Sequence, residues 1–177
     1  EKRFTLARVV IPAKVAKSRQ RKQIPLNELR GQNLIVDGYN VLITTESLLI
    51  GAQVYRCDDG FLRDTRGIFG NYKPSDLTIS VLDEIFFLLK ESRAARVRIL
   101  LDQQISKSGE LASIIRMMMA EQNILGTANT ARNVDLQLKV SQAVVATGDG
   151  SIIDAATKVI DLPAEVARRR KIKTIVL

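Results

Sequence analysis

The stretch Leu34-Ile-Val-Asp-Gly-Tyr-Asn40 decides the fold that this sequence predicts. Residues 33–36 form a short apolar run, which is typical of a buried β-strand. The run ends in Asp37 and a glycine, and residues 39–50 then have a helical pattern that Gly51 closes. We therefore predict a strand that turns directly into a helix.

Two further apolar runs also lead to an aspartate. Residues 96–101 are followed by Asp102, and residues 143–147 are followed by Gly148 and Asp149. The other predicted helices are 75–93, 108–122, 133–138, 151–157 and 163–171. The other strands are a short one within 123–132, then 159–162 and 172–176. Strands that alternate with helices predict an α/β fold, a three-layer α/β/α arrangement around a mostly parallel sheet of about five strands.

Two segments depart from this alternation. Residues 53–66 hold an Asp-Asp-Gly turn between two short mixed runs, which predicts a β-hairpin, and the glycines and proline of 67–74 mark a loop. Residues 1–32 are basic, weakly periodic and interrupted by two prolines. We predict an N-terminal arm or linker over 1–32 and one domain over 33–177, with the hairpin as an insertion.

The charge of the chain favours a polyanionic partner. Lys and Arg number 27 against 19 Asp and Glu, a formal net charge of +8. The surplus is concentrated in residues 1–30 and in the run Arg168-Arg-Arg-Lys171. This placement predicts a surface that contacts phosphates and a middle that binds cations, although a merely basic protein has the same composition.

The chain has no histidine and a single cysteine, Cys57. This composition excludes an internal disulfide, a histidine-based metal site and catalysis by a Ser-His-Asp triad or a Cys-His pair. Any catalysis must therefore use carboxylates, lysines, hydroxyls or a metal that carboxylates hold.

Asp37, Asp102 and Asp149 each follow a predicted parallel strand, so they are expected to meet at one edge of the sheet. Clustered carboxylates repel each other, and a bound cation relieves the repulsion. Oxygen ligands without histidine favour Mg²⁺ or Mn²⁺. Asp135 and Asp154 lie in the first turns of predicted helices, where they either join this cluster or stabilise the helix dipole.

Polar residues near these acids are candidates for binding a substrate phosphate, although solvated surface charge or ordinary helix capping would also explain several of them. The candidates are Asn40, Arg63, Arg66, Arg132, Lys139 and Ser151. Ser151 follows Gly148-Asp-Gly150, where a glycine backbone can approach a phosphate. Arg63 and Arg66 lie in the predicted hairpin and loop.

The motifs Asp37-Gly-Tyr-Asn40, Ile99-Leu-Leu-Asp102 and Ala146-Thr-Gly-Asp-Gly-Ser151, with Asp135 and Asp154, together resemble the NYN branch of the PIN-like nuclease superfamily. The resemblance covers about residues 33–162. More narrowly, the chain is similar to an uncharacterised PIN-like family found C-terminal to a domain of unknown function. Members of that family have a similar Asp59-Gly-Phe-Leu-Arg-Asp64 loop and a similar Ser108-Gly-Glu-Leu111 segment.

The resemblance implies a ribonuclease that hydrolyses RNA phosphodiesters with Mg²⁺ or Mn²⁺. Matched residue by residue, it implies that Asp37, Asp102, Asp135 and Asp149 are catalytic acids and metal ligands. Asp154 matches a further metal ligand that some members have. The hairpin and loop of 53–73 depart from the simpler toxin-type members, which makes the substrate less certain than the chemistry.

Two other functions fit the same sequence. One is a non-catalytic RNA-binding module with a PIN-like fold. The other is a phosphatase of the haloacid-dehalogenase type, but that class needs a second aspartate two residues after the first, where this chain has Tyr39.

The sequence also gives expectations about the location and the partners of the protein. The sequence has no apolar run of membrane-spanning length and no apolar signal segment after its first residues, so we expect a cytoplasmic protein without a membrane partner. Whether the protein forms a homodimer is left open. Because the chain does not begin with Met, a further domain before residue 1 is also left open.

Overall fold

The structure, a computed structural model, describes residues 10–176, and its centre is a sheet of five parallel strands. The strands are β1 (Asn33–Asp37), β4 (Arg96–Asp102), β5 (Gly126–Ala131), β6 (Val144–Ala146) and β7 (Val159–Ile160). Their order across the sheet is β5-β4-β1-β6-β7. The strand that carries Asp37 therefore lies in the middle, between the two strands that lead to Asp102 and Asp149.

Helices cover both faces of this sheet, as the sequence predicts. They are α1 (Ala13–Gln20), α2 (Gly38–Leu49), α3 (Asp76–Ser92), α4 (Ser108–Glu121), α5 (Val134–Lys139), α6 (Gly150–Ala155) and α7 (Leu162–Arg170), with short 3₁₀ helices at Leu26–Leu29 and Phe69–Asn71. Helices α2, α3 and α4 share one hydrophobic core with the sheet, and α5 and α6 share another. The three-layer α/β/α prediction is confirmed.

The alternation of side chains along the strands explains why the sheet has two cores. Leu34 and Val36 of β1 belong to the core of α2, α3 and α4, whereas Ile35 between them belongs to the core of α5 and α6. Successive residues of a strand point to opposite faces, so a strand covered on both sides must be apolar throughout. This requirement is why the three buried residues before Asp37, Leu34, Ile35 and Val36, are all apolar.

The connections of the sheet change direction at β1. From β1 the chain passes to β4 and β5 on one side, and it then returns to β6 and β7 on the other side. In open α/β sheets this change of direction leaves a crevice at the carboxyl ends of the strands, where ligands bind. The carboxyl end of β1 is Asp37.

The predicted hairpin is present. Strands β2 (Val54–Arg56) and β3 (Leu62–Asp64) pair antiparallel, and β8 (Ile175–Val176) pairs parallel with β2 in a separate three-stranded sheet. The last strand thus joins the hairpin instead of the central sheet. Phe61, at the end of the hairpin turn, is fully buried in the core of α5 and α6, so the hairpin is fastened to the domain.

The described part of the predicted arm, residues 10–32, packs on the domain. The backbone of residues 22–24 bonds with Val159 along the outer edge of β7, and the side chain of Leu29 is fully buried. This pairing covers a strand edge that would otherwise expose unpaired backbone groups. Residues 1–9 of the arm lie outside the described residues.

Local signals set the ends of the helices. Ser75 and Thr78 form a capping box at the start of α3, as the serine at position 75 predicts. The predicted strand 159–162 ends earlier, at Ile160, because the Asp161 side chain caps α7 by accepting a hydrogen bond from the N–H of Ala164. No helix between residues 10 and 176 combines the length and the apolar character needed to cross a membrane.

Gly38, at the start of α2, lies against the neighbouring strand β4. A Cβ atom at this position would lie 2.5 Å from the carbonyl oxygen of Leu100 and 2.6 Å from a methyl carbon of Leu101. Backbone cannot yield as a flexible side chain can, so only glycine lets the first turn of α2 begin directly above β4. The close approach holds Asp37 at the sheet edge.

We predict that Gly38→Ala destabilises the protein by about 1–3 kcal/mol, the usual cost of overpacking a closely packed site. Urea denaturation followed by circular dichroism measures the change. Gly109→Ala is the matched control, because a Cβ atom at that helical position meets nothing within 4 Å. Equal stability of the two variants would contradict the account of Gly38.

Candidate functional site

An acidic cleft of about 530 Å³ opens at the carboxyl ends of β1, β4 and β6. It is lined by Asp37, Asn40, Phe69, Asp102, Arg132, Asn133, Val134, Asp135, Leu136 and Asp149. Four of the five acids that the sequence singles out therefore lie in one cleft. The topology explains this, because β4 and the loop after β6 lie on either side of β1.

Asp37 lies at the bottom of the acidic cleft. Its side chain is 7% exposed, and its Oδ2 accepts a hydrogen bond of 2.8 Å from the Thr147 hydroxyl. Within the described part of the chain, no lysine or arginine forms an ion pair with it. A carboxylate this deeply buried and without a cationic partner is costly, so its presence requires an explanation beyond packing.

Thr147 joins Asp37 to Asp149. While its hydroxyl donates to Asp37, the same oxygen accepts a hydrogen bond of 3.1 Å from the N–H of Asp149. The sequence analysis missed this residue. A threonine two positions before an aspartate can form a local turn of this kind, and that spacing is the signal that could have identified it.

Asp149 caps the short helix α6. Its Oδ1 accepts hydrogen bonds from the N–H of Ser151 at 2.8 Å, the hydroxyl of Ser151 at 2.7 Å and the N–H of Ile152 at 3.2 Å. Burial acts to raise the pKa of Asp149, but these hydrogen bonds and the charge of Lys139 outweigh it and lower the pKa. Asp149 is thus held as a carboxylate. Ser151, which the sequence predicts as a phosphate-binding residue, instead uses its N–H and its hydroxyl to orient Asp149.

Asn40 and Gly148 hold the loop after β6 against α2. The Asn40 Oδ1 accepts a hydrogen bond of 2.7 Å from the N–H of Gly148. A Cβ atom on Gly148 would lie 2.9 Å from the carbonyl oxygen of Leu62 in the hairpin, so the loop fits between α2 and the hairpin only with glycine there. Asn40 therefore positions Asp149 and lines the cleft as well.

Asp102 and Asp135 lie at the more open part of the cleft. Asp102 is half-buried, and its Oδ1 accepts a hydrogen bond of 2.8 Å from the N–H of Gln104. Asp135 is exposed in the first turn of α5. The charge of Asp135 raises the pKa of Asp37, which indicates that the two carboxylates act on each other across the cleft.

Three of the predicted residues bind elsewhere in the protein. Asp154 forms a two-point ion pair with Arg19, at 2.8 and 2.7 Å. Arg63 is buried, where it donates to both oxygens of Asp59 and to the carbonyl of Gly148.

Arg66 donates to Asp64 and to the carbonyl of Ile43. These three side chains fasten α1, the hairpin and the loop after it. Of the two other predicted basic residues, Arg132 lines the cleft and Lys139 acts on Asp149.

The buried acids Asp59 and Asp161 belong to the supporting structure and were not predicted. Asp59 is fully buried between Arg19 and Arg63, whose guanidinium groups lower its pKa although burial opposes this. Asp161 accepts hydrogen bonds from the N–H groups of Leu62 and Ala164, and its burial raises its pKa to about 6. The sequence signal for Asp161 was present, since an aspartate followed by Leu-Pro is a typical helix start.

The basic run after residue 167 is partly neutralised. Arg169 and Arg170 both bind the buried carboxylate of Glu84 in α3, and Arg168 pairs with Glu165 one helical turn earlier. Much of the cluster that predicted phosphate contacts therefore holds α7 against α3.

The acids of the cleft offer carboxylate oxygens, which are the donors that a hard cation prefers. Among residues 10–176, no three Asp, Glu or Cys side chains are gathered closely enough to hold a metal ion by themselves. Mg²⁺ is usually held by one or two carboxylates, with water and substrate phosphate completing its shell. Asp37 and Asp149, which Thr147 joins, are the residues that could hold such an ion, and Asp102 and Asp135 line the same cleft.

The comparisons with known proteins identify a family. Residues 26–165 match the family described as the domain of unknown function DUF5616. The chain belongs to the DUF5616 family. A protein of Methanocaldococcus jannaschii, named as uncharacterised, is 35% identical over 175 residues, which cover 98% of this chain and 83% of that relative.

No solved structure matches this DUF5616 chain. Neither comparison names a PIN or NYN protein, so that resemblance stays a prediction.

The electrostatics of the DUF5616 cleft are most unusual at Asp37. Burial, together with the charges of Asp149 and Asp135, raises the pKa of this carboxyl group to about 7, against the hydrogen bond from Thr147. Above this pKa the fold holds a negative charge that would be more stable in water. A bound divalent cation would favour that charge and offset the cost.

We predict that Asp37→Asn stabilises the DUF5616 chain in a metal-free buffer that contains a chelator. The folded-state pKa of about 7 lies above the ordinary value of 3.8. The unfolded chain therefore loses this proton at lower pH than the folded one, so the native free energy of unfolding falls as pH rises from about 4 to about 7. The asparagine variant does not undergo this fall.

Thermal and urea unfolding at pH 5 and pH 8 measure the difference between the two proteins. We expect the variant to gain stability over the native protein, by more at pH 8 and on the order of a few kcal/mol there. Asp83→Asn, at an exposed position on α3, is the control and is expected to show no such pH dependence. A variant that is less stable than the native protein at pH 8 would refute the prediction.

Proposed function

We propose that this protein is a Mg²⁺- or Mn²⁺-dependent ribonuclease that hydrolyses RNA phosphodiesters in the acidic cleft. One observation carries the proposal. Asp37, Asp102, Asp135 and Asp149 line one cleft, and no lysine or arginine of residues 10–176 forms an ion pair with any of them.

Other acids of the described chain contrast with the four in the cleft. Asp59 and Asp154 are paired with Arg19, and Glu84 is paired with two arginines of α7. In each of these three cases, the acid serves the fold by binding an arginine. Acids that converge without one are better explained by a cation that binds there.

The residues of the cleft have different roles in this mechanism. Asp37 and Asp149 would hold the cation, and Thr147 and Ser151 fix their orientation through hydrogen bonds. When bound, Mg²⁺ or Mn²⁺ would neutralise charge on the scissile phosphate and favour attack by water. The exposed Asp135 carboxylate lines the same cleft as Asp37 and would accept a hydrogen bond from the attacking water.

Arg132 is the residue of the cleft that best fits a phosphate contact. It is exposed, lines the cleft and follows directly after β5. A guanidinium group can bind two phosphate oxygens together, which orients the backbone of the substrate. Lys139, which lowers the pKa of Asp149, adds positive charge beside the same carboxylates.

Two alternatives are weaker on particular grounds. A phosphatase of the haloacid-dehalogenase type needs an acid two residues after Asp37, and that position holds Tyr39, which is 1% exposed and packed in the core. A non-catalytic RNA-binding module is favoured by one observation, that no three acids of the described chain are close enough to form a complete metal site by themselves. The following experiment separates this module from the nuclease.

We predict that the native protein cleaves single-stranded RNA in Mn²⁺, and that Asp37→Asn and Asp149→Asn each lower the cleavage rate by about 100-fold or more, as expected when a group that holds a catalytic metal is lost. Gel analysis of end-labelled RNA measures the rate. Asp83→Asn, outside the cleft, should cleave like the native protein. Equal rates for all four proteins would contradict the proposed site.

The RNA-binding alternative predicts a different result from the same samples. Neither the native protein nor the variants would cleave, yet all would bind RNA with an affinity that falls steeply as salt rises. Filter binding at two salt concentrations supplies this second measurement.

We also predict that Mn²⁺ raises the melting temperature of the native protein, because a ligand that binds only the folded state stabilises it. Asp37→Asn should lose most of this shift, while Asp83→Asn should keep it. Differential scanning fluorimetry measures the shift without any RNA. The metal site would be refuted if the native protein and Asp37→Asn gained equal stability from Mn²⁺.

A further inference from the structure

Phe69 is a large apolar side chain exposed at an acidic, polar cleft. It opens the short 3₁₀ helix Phe69–Asn71, lines the cleft together with the four acids, and remains 47% exposed. A half-exposed aromatic ring in a cleft of charged groups gains little from its surroundings. Its position is better explained by a ligand that covers it.

The ring is anchored by its neighbour. Phe69 meets the buried ring of Tyr39 nearly at right angles, with centroids 5.9 Å apart and an interplanar angle of 81°. Tyr39 in turn meets the buried ring of Tyr72 at 5.5 Å. One contact of Phe69 is therefore fixed by the core while nearly half of its surface faces solvent, so little conformational freedom is lost when a ligand binds.

A second exposed apolar side chain lines the same cleft. Leu136, in α5, is 55% exposed although it belongs to a different layer of the fold from Phe69. The cleft therefore combines two apolar groups with carboxylates, an amide and the guanidinium group of Arg132. This combination suits a ligand that has a flat apolar part joined to a phosphate, which is the chemistry of a nucleotide.

We propose that Phe69 is a stacking platform for a nucleobase and that the substrate is single-stranded RNA. The proposal rests on the proposed function, since it places the base beside the phosphate that Arg132 and the acids engage. A base in a duplex is covered by its neighbours on both faces, so it cannot stack on a protein ring without leaving the helix. Stacking is tolerant of sequence, so Phe69 selects unpaired strands without choosing among bases.

Fluorescence anisotropy of a labelled oligouridylate tests this proposal, in a buffer with a chelator so that no cleavage occurs. Phe69→Ala should weaken binding about tenfold, the typical effect of losing one stacked base. Phe69→Trp should bind like the native protein. Phe69→Leu keeps the apolar contact with Tyr39 but has no aromatic face, so it should be weakened nearly as much as the alanine variant.

The same oligonucleotide without its bases separates stacking from an effect on the fold. It keeps every phosphate, so the native protein and all Phe69 variants should bind it with equal affinity. Phe87→Ala is the matched control. Phe87 has a comparable exposure of 43%, but it lies on α3 outside the cleft. The guanidinium group of Arg169 lies 4.1 Å from the centre of its ring. This variant should bind both oligonucleotides like the native protein.

Four results would overturn the proposal. The first is that the native protein and Phe69→Ala bind the oligouridylate equally, and the second is that Phe69→Ala loses as much affinity for the baseless oligonucleotide as for the oligouridylate. The third is that the native protein binds duplex RNA at least as tightly as the single strand, and the fourth is that it binds no single strand at all. Binding is measured without metal and is therefore independent of cleavage. If the native protein cleaves RNA but Phe69→Ala binds the oligouridylate as tightly as the native protein does, the proposed function stands and only this inference fails.

Discussion

The hydrogen bond from the Thr147 hydroxyl to the Asp37 carboxylate joins the two halves of this fold. Asp37 ends the central strand, and Thr147 follows the strand beside it on the side to which the chain returns last. The same hydroxyl oxygen binds the N–H of Asp149. A single side chain therefore joins two acids of the cleft, Asp37 and Asp149, and the surrounding structure keeps this contact in place.

Much of that support comes from outside the central sheet. Arg63 in the hairpin donates to the carbonyl of Gly148, and Asn40 in α2 accepts from the N–H of the same residue. Asp161 binds the backbone of Leu62, which fastens the hairpin to the end of β7. The hairpin thus acts as a brace for the loop that carries Asp149. A rigid support of this kind is what two carboxylates need if they are to stay close without a fixed partner.

The sequence predicted the parallel sheet and the convergence of Asp37, Asp102 and Asp149, because both follow from local patterns. An apolar run that ends in Asp-Gly indicates a strand that meets a helix, and parallel strands end at one edge. It could not separate Arg63 from Arg132, since each is a basic residue next to a polar one, Asp64 or Asn133. Their difference is tertiary: Arg63 is buried and donates to the carbonyl of Gly148, which lies 85 residues later in the sequence, whereas Arg132 remains in the cleft. Asp154 was misleading for the same reason, because Arg19 is distant in the sequence.

The stability of the fold and the chemistry of the cleft make opposite demands on Asp37. Burial and the neighbouring carboxylates raise its pKa to about 7, so its charged form costs the fold stability near neutral pH. An asparagine could accept the same bond from Thr147 without that cost. The carboxylate therefore contributes something that the fold alone does not require. Asp37 lies among carboxylates that lack arginine partners, in a chain with a net charge of +8. The contribution that we propose is a negative charge that binds a cation, and the substrate phosphate would then share that cation.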